Sequence, residues 1–314
     1  MNMKDLRVVF MGTPSFAEVI LKKLIEVTNV VLVVSQPDKE FNKKKEVIYS
    51  PVKKLAIENN IKVFQPDRIR KEYEEVLKAE PDIIITAAYG QIIPSVILDY
   101  PKYGCINVHG SLLPKLRGGA PIHHAIIDGY DKTGITIMYM DTKMDSGDII
   151  SQREVTIKTS DTLDSLYDEL SVIGRDLLIE VLPSIFDGTN DRIKQNEDEV
   201  TFGYNITKED EVINFNDSAR NIFNKVRGLC SKPLAYTILD DKVIKLYQVE
   251  ITDTLSKCSP GTIEIVTKNK MLVSTKDYLI SIVMLKQEGK KLCKINDFLN
   301  GIQNKELLIG KVFK

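Results

Sequence analysis

The chain has 314 residues, 43% of them hydrophobic and 28% charged, with a net charge of −1. That balance excludes a disordered or fibrous protein and leaves room for two domains, or one large one, with a sizeable core. No apolar run approaches the ~20 residues that span a bilayer. With no secretory signal at the start, the scattered Cys105, Cys230, Cys258 and Cys293 read as reduced thiols of a cytoplasmic protein. The small net charge hides an asymmetry: residues 1–205 carry 25 Lys and Arg against 31 Asp and Glu, and residues 206–314 carry 18 against 13. A basic C-terminal part suits a polyanionic partner, and equally a chance spread of surface lysines.

In chain order, Arg7–Met11 is an apolar strand closed by Gly12-Thr13-Pro14, and 15–27 reads as a helix. A second strand covers 30–35, and Ser50-Pro51 opens another helix with a capping residue and proline at the first helical position. Residues 62–64 are strand-like, 70–79 helical, 82–86 a buried strand, and 104–108 the next strand. Residues 135–140 are strand-like, the stretch after Pro121 is helical, and 161–186 forms one long helix. Near-continuous apolar strands alternating with helices predict an α/β domain with a mostly parallel sheet, spanning 1–189. Ligands of such sheets bind outside the carboxyl ends of the strands. Residues 190–207 are polar, rich in turn formers and without period, which predicts a linker. Beyond it, short β-type runs at 235–239, 243–249, 262–266, 271–274 and 278–284 predict a small β-barrel or sandwich over 208–314.

Chemistry concentrates in one block, GCINVHGSLLPKLRGGAPIHHAIIDGYDKTGITIMYMDTKMDSGDII, from Gly104 to Ile150. Strand side chains alternate, so Asn107 and His109 share one face. An amide donor, an imidazole and a carboxylate are what acyl transfer to an amine requires. Spacing leaves the carboxylate open between Asp145 and Asp148, both in a loop dense in acids and turn formers. His123 and His124, adjacent on a helix, point about 100° apart and do not easily share one metal ion. The run Lys39, Lys43, Lys44 and Lys45 reads equally as a solvated face or as a basic loop that grips phosphates.

Taken together, Phe10-Met11-Gly12-Thr13-Pro14, Ser35-Gln36-Pro37-Asp38, Ser50-Pro51-Val52-Lys53, Ala88-Tyr89-Gly90, GCINVHGSLLP, Arg117-Gly118-Gly119-Ala120-Pro121-Ile122, Thr133-Gly134-Ile135-Thr136-Ile137-Met138 and Asp145-Ser146-Gly147-Asp148 resemble the methionyl-tRNA formyltransferases. The likeness runs over essentially the whole chain, strongest from 5 to 185. The Asn-x-His and SLLP elements alone are shared with other folate-dependent formyltransferases, including those acting on sugar amines. The resemblance implies a Rossmann-like formyltransferase domain followed by an OB-like β-barrel that contacts tRNA. It implies Asn107, His109 and Asp145 as catalytic residues, with 10-formyltetrahydrofolate as formyl donor and no metal. Ala87, Tyr89, Gly90, Ser111, Leu112, Leu113, Pro114 and Asp141 are implied to line the folate site. Lys39, Lys43, Lys44 and Lys45 are implied to meet initiator methionyl-tRNA, with Lys43 in place of a family arginine, on a monomeric enzyme.

Overall fold

The computed structural model describes residues 3–38, 40–41 and 47–314. The chain divides into two compact units. The first takes Met1–Pro121, Lys132–Thr156 and Tyr167–Tyr204, and the second takes Ile122–Asp131, Ile157–Leu166 and Asn205–Lys314.

Up to residue 187 the elements are β1 (Arg7–Gly12), α1 (Ser15–Val27), β2 (Asn29–Val34), β3 (Glu40–Phe41), β4 (Val47–Ile48), α2 (Pro51–Glu58), β5 (Val63–Phe64), α3 (Glu74–Lys78), β6 (Ile83–Ala87), α4 (Ser95–Leu98), β7 (Cys105–His109), α5 (Pro121–Ile127), β8 (Lys132–Tyr139), β9 (Ile149–Thr156) and α6 (Leu163–Asp187). Seven strands form one sheet in the order β5-β2-β1-β6-β7-β8-β9. The first five run parallel, and β8 and β9 are antiparallel additions. Because parallel strands are covered on both faces, β1 and β6 are apolar along almost their whole length and buried throughout, apart from half-buried Arg7. At α2 the expected cap is formed: Ser50 Oγ accepts from Lys53 N at 3.2 Å, with Pro51 in the first turn. The helix expected over 70–79 contracts to Glu74–Lys78, and β9 is a strand that the sequence reading did not find.

In the second unit follow α7 (Ala219–Gly228), β10 (Tyr236–Leu239), β11 (Lys242–Leu255), β12 (Ile263–Val266), β13 (Met271–Val273), β14 (Tyr278–Gln287), β15 (Cys293–Lys294) and α8 (Ile295–Asn300). The strands pair antiparallel in the order β10-β11-β14-β13-β12, with β15 on β14. The C-terminal residues join the two edges of that order. Phe313 N donates to Gly261 O at 2.9 Å and Ile263 N to Lys311 O at 2.8 Å, while Lys314 N donates to Ile238 O at 2.9 Å. This closes the sheet and leaves neither edge strand as an open template. The interior is filled by residues such as Leu246, Met271, Ile280 and Leu285, together with Ile222 and Val226 of α7. Here α7 is an addition to the expected run of strands.

Candidate active site

At the carboxyl end of β7 the register sets the first two side chains. Thr86 on β6 lies directly beside Asn107, and its hydroxyl donates to Asn107 Oδ1 at 2.8 Å. That bond fixes which way the amide faces. The Nδ2 group is left pointing at Asp145 Oδ1, at 3.5 Å. His109 follows on the same face and is buried. Its Nε2 lies 3.0 Å from the backbone carbonyl of Leu116. A carbonyl only accepts, so Nε2 carries the hydrogen and Nδ1 faces Asp145 Oδ2 at 3.7 Å.

The β8–β9 loop turns back over β7 to bring the third side chain in. Asp145 is held at φ +49°, a backbone conformation uncommon outside glycine. Its Oδ2 accepts from Gly118 N at 2.8 Å. The loop passes so close to β8 that a Cβ on Gly147 would sit 1.9 Å from the carbonyl oxygen of Tyr139. Asp148 goes elsewhere: its carboxylate pairs with Arg192 Nε at 3.2 Å. Geometry therefore separates two loop acids that spacing leaves equivalent.

Sequence reasoning missed the groups that hold this arrangement. Within 190–207, expected as a linker, most polar contacts tie the segment into the first unit. Ile193 bridges Ile149, Arg117 bridges Phe202, and Gly203 N donates to Arg117 O at 2.8 Å. Gln195 Nε2 donates to the carbonyls of Asp145 and Gly147, at 2.8 and 2.9 Å. Buried Arg117 donates from Nε to Gln195 Oε1 at 3.0 Å, and its NH2 meets Glu197 at 2.8 Å. The Thr86–Asn107 pairing was within reach, since the two expected strands end at neighbouring positions. Nothing local marks Gln195.

The residues expected to line a folate site divide by burial. Ala87, Tyr89, Ser111 and Leu113 are buried, Leu112 and Pro114 half-buried, and Gly90 exposed at φ +81°. The Tyr89 ring packs with Ile69, Ile93 and Ile97, so the turn presents backbone rather than the phenol. Gln36 Nε2 donates to Tyr89 O at 2.9 Å and pins that turn. Ser111 Oγ donates to Lys115 O at 2.6 Å, and Thr136 Oγ1 donates to Ser111 O at 2.7 Å, which ties the SLLP segment to β8. Asp141 is exposed, but its carboxylate accepts from Lys143 N and Ser146 Oγ inside its own loop. Lys39, Lys43, Lys44 and Lys45 lie outside the described residues.

Residues 6–182 match the formyl transferase family, and residues 205–303 match the formyl transferase C-terminal domain. A Staphylococcus aureus (strain MW2) protein named methionyl-tRNA formyltransferase is 46% identical over 308 residues, covering 97% of this chain and 98% of that one. The chain belongs to the methionyl-tRNA formyltransferase family. Among solved structures, HypX from Aquifex aeolicus in complex with tetrahydrofolic acid shares the fold at TM-score 0.64 and 17% identity. The match covers 94% of this chain and 47% of HypX, so the chain spans about half the length of that protein. WlaRD, a sugar 3N-formyltransferase solved in the presence of dTDP and 5-N-formyl-THF, aligns at TM-score 0.63 and 19% identity, over 91% of this chain and 99% of that one.

His123 and His124 have partners of their own. His123 Nε2 lies 3.3 Å from Lys232 O and His124 Nδ1 lies 3.2 Å from Asp128. Among the described residues no group of three His, Cys, Asp or Glu is placed to hold a metal, and no helix is long and apolar enough to cross a membrane.

Proposed function

We propose that the chain transfers the formyl group of 10-formyltetrahydrofolate to the α-amino group of methionine carried on initiator tRNA. The observation that carries this reading is the convergence of an amide donor, Asn107, and an imidazole, His109, on the Asp145 carboxylate, at 3.5 and 3.7 Å, at the end of β7. The folate-derived donor supplies the carbonyl carbon that the amine attacks. As the amine attacks, negative charge grows on the formyl oxygen. Asn107 Nδ2 meets that charge, because its other amide atom is already committed to Thr86. His109, with Nε2–H held by Leu116, presents Nδ1; once protonated, it donates to the same oxygen. Asp145 stabilises that imidazolium. Its Oδ1 is bonded less closely than Oδ2 and receives the proton leaving the amine, directly or through one water. The tetrahedral intermediate then collapses, the bond from the formyl carbon to the folate nitrogen breaks, and that nitrogen takes up the proton as tetrahydrofolate leaves.

To the folate donor we assign Ala87, Tyr89, Gly90, Ser111, Leu112, Leu113, Pro114 and Asp141, the 87–90 turn offering backbone groups while the Tyr89 ring is packed away. We assign the basic run Lys39, Lys43, Lys44 and Lys45 to the tRNA phosphates. We place the boundary of the catalytic domain near residue 205, where the match to the C-terminal domain begins.

The test is transfer of labelled formyl from 10-formyltetrahydrofolate to charged initiator methionyl-tRNA, with an amino sugar as the competing acceptor. The expected result is transfer to the tRNA and none to the sugar. Transfer to the sugar alone overturns the reading and favours a small-amine formyltransferase.

A further inference from the structure

The side chain of Asp145 is useful only if its loop keeps it over Asn107 and His109. Within the loop Asp141 ties Lys143 and Ser146, while the polar contacts to Asp145 itself come from outside it. Asp145 sits in the left-handed region, where an L-residue is strained. Its carbonyl and that of Gly147 both meet residue 195. One side-chain amide satisfies both: the two hydrogens of Gln195 Nε2 go to Asp145 O and Gly147 O. The opposite atom, Oε1, accepts from Arg117 Nε at 3.0 Å. Flipping the amide would set an oxygen against two carbonyls and an NH2 against a guanidinium, so only one orientation satisfies all three partners.

Arg117 is itself immobilised. It is 5% exposed, its guanidinium meets Glu197, its backbone N donates to Thr201 O, and its backbone O accepts from Gly203. The residue after it, Gly118, donates from its backbone to Asp145 Oδ2. Arg117 and Gln195 thus grip Asp145 at both ends: the carboxylate through the amide of Gly118, and the backbone through the amide of Gln195.

We propose that Gln195, braced by Arg117, is a positioning residue for Asp145, so that a segment fifty residues downstream of the catalytic loop sets the aim of its carboxylate. The proposal rests on the catalytic role assigned to Asp145. Without the clamp, the strained residue relaxes, the carboxylate swings off Gly118 and His109, and the imidazole loses its partner.

Two measurements on the full-length protein decide it. The first needs no activity: amide hydrogen exchange in the wild type and in Gln195→Leu. The Gly118 amide is expected to exchange at least tenfold faster in the variant, while the Met140 amide, bonded to Cys105 O at 2.8 Å, keeps its rate. An unchanged Gly118 rate overturns the clamp. So does a uniform rise across both amides, which marks general unfolding. The second is a double-mutant cycle in formyl transfer. Gln195→Leu is expected to lower kcat by about 10²-fold, the scale of a small misplacement of a reacting group, with KM for the folate donor unchanged. In an Asp145→Ala background the same substitution is expected to add no further loss. Losses that multiply mark a role independent of Asp145 and overturn the proposal. Arg117→Lys keeps the charge toward Glu197 but loses the Nε donor, and is expected to give a smaller loss in the same direction. Absence of transfer by the wild type removes the functional reading, while the exchange measurement still decides the clamp.

Discussion

Asn107 and His109 stand on a strand whose pairing with β6 and β8 places them, whereas Asp145 reaches the same point from a loop in a strained conformation, held by groups far away in sequence. The strand residues have their neighbours supplied by the ladder: Thr86 beside Asn107, and Thr136 opposite His109. The loop residue depends on Gly118, Gly147 and Gln195. One side of the site is fixed by secondary structure and the other by tertiary contacts, and the two should fail differently. Damage to the strand side removes a chemical group from a scaffold that stays folded. Damage on the loop side leaves the chemical groups present and misaimed.

The largest effects belong to the strand side. Asn107→Ala and His109→Ala are each expected to lower kcat by roughly 10²–10³-fold, as for loss of one oxyanion donor. Thermal midpoints should remain near that of the wild type. Steady-state formylation rates beside a melting curve check this, and near-normal turnover in either folded variant removes the role assigned to it.

On the loop side, Gly147→Ala forces a Cβ to within 1.9 Å of Tyr139 O, so the loop must move. The expected loss in kcat is about 10²-fold, as for misplacement of a reacting group, with Asn107, His109 and Asp145 all intact. A crystal structure of the variant showing Asp145 still bonded to Gly118 would contradict the account. Thr86→Val sharpens the same comparison from the strand side. It keeps the shape and removes the hydroxyl that orients Asn107, worth about 1 kcal/mol or somewhat under tenfold in rate. A variant with unchanged kcat would show that the amide needs no such guide.

The same division explains what could be read from the chain alone. Alternation along GCINVH put Asn107 and His109 on one face, and apolar runs located five of the seven sheet strands near their observed limits. β5 read as a short strand-like run, and β9 had no turn signal of its own within IISQREVT and remained hidden. In the second unit, α7 carries apolar residues at 219, 222, 223 and 226, a helical period, behind Ser218 as cap; that signal was present among runs that otherwise favoured strands. Asp145 could not be told from Asp148 because a loop has no period, and only the resemblance to a family chose between them. Gln195 was illegible for a deeper reason. Two of its partners are backbone carbonyls about fifty positions away and the third is the more distant Arg117 side chain, and a polar segment without period looks the same whether it is tethered or free.

Against the first unit, the second offers a contrast in which stability and activity should come apart. Asp277 Oδ1 accepts from Ala219 N at 2.8 Å, from Tyr278 N at 2.8 Å and from the Thr275 hydroxyl at 3.0 Å, so one carboxylate caps α7 and ties it to the start of β14. Burial pushes this carboxyl up, but the bonds from Ala219, Tyr278 and Thr275 outweigh it and hold the group below its ordinary range. A depressed folded value contributes stability that is present above the unfolded value of about 3.9 and lost as pH falls through the folded one. Asp277→Ala is therefore expected to cost about 1–2 kcal/mol at neutral pH, as for loss of a helix cap, and the gap from wild type should narrow below pH ~4. Denaturant melts at pH 7, 5 and 3 check the sign, since a gap that widens on acidification would mean the carboxylate is not the stabilising species. Turnover at 25 °C, saturating in both substrates, should match the wild type, because Asp277 touches none of the groups that aim Asp145.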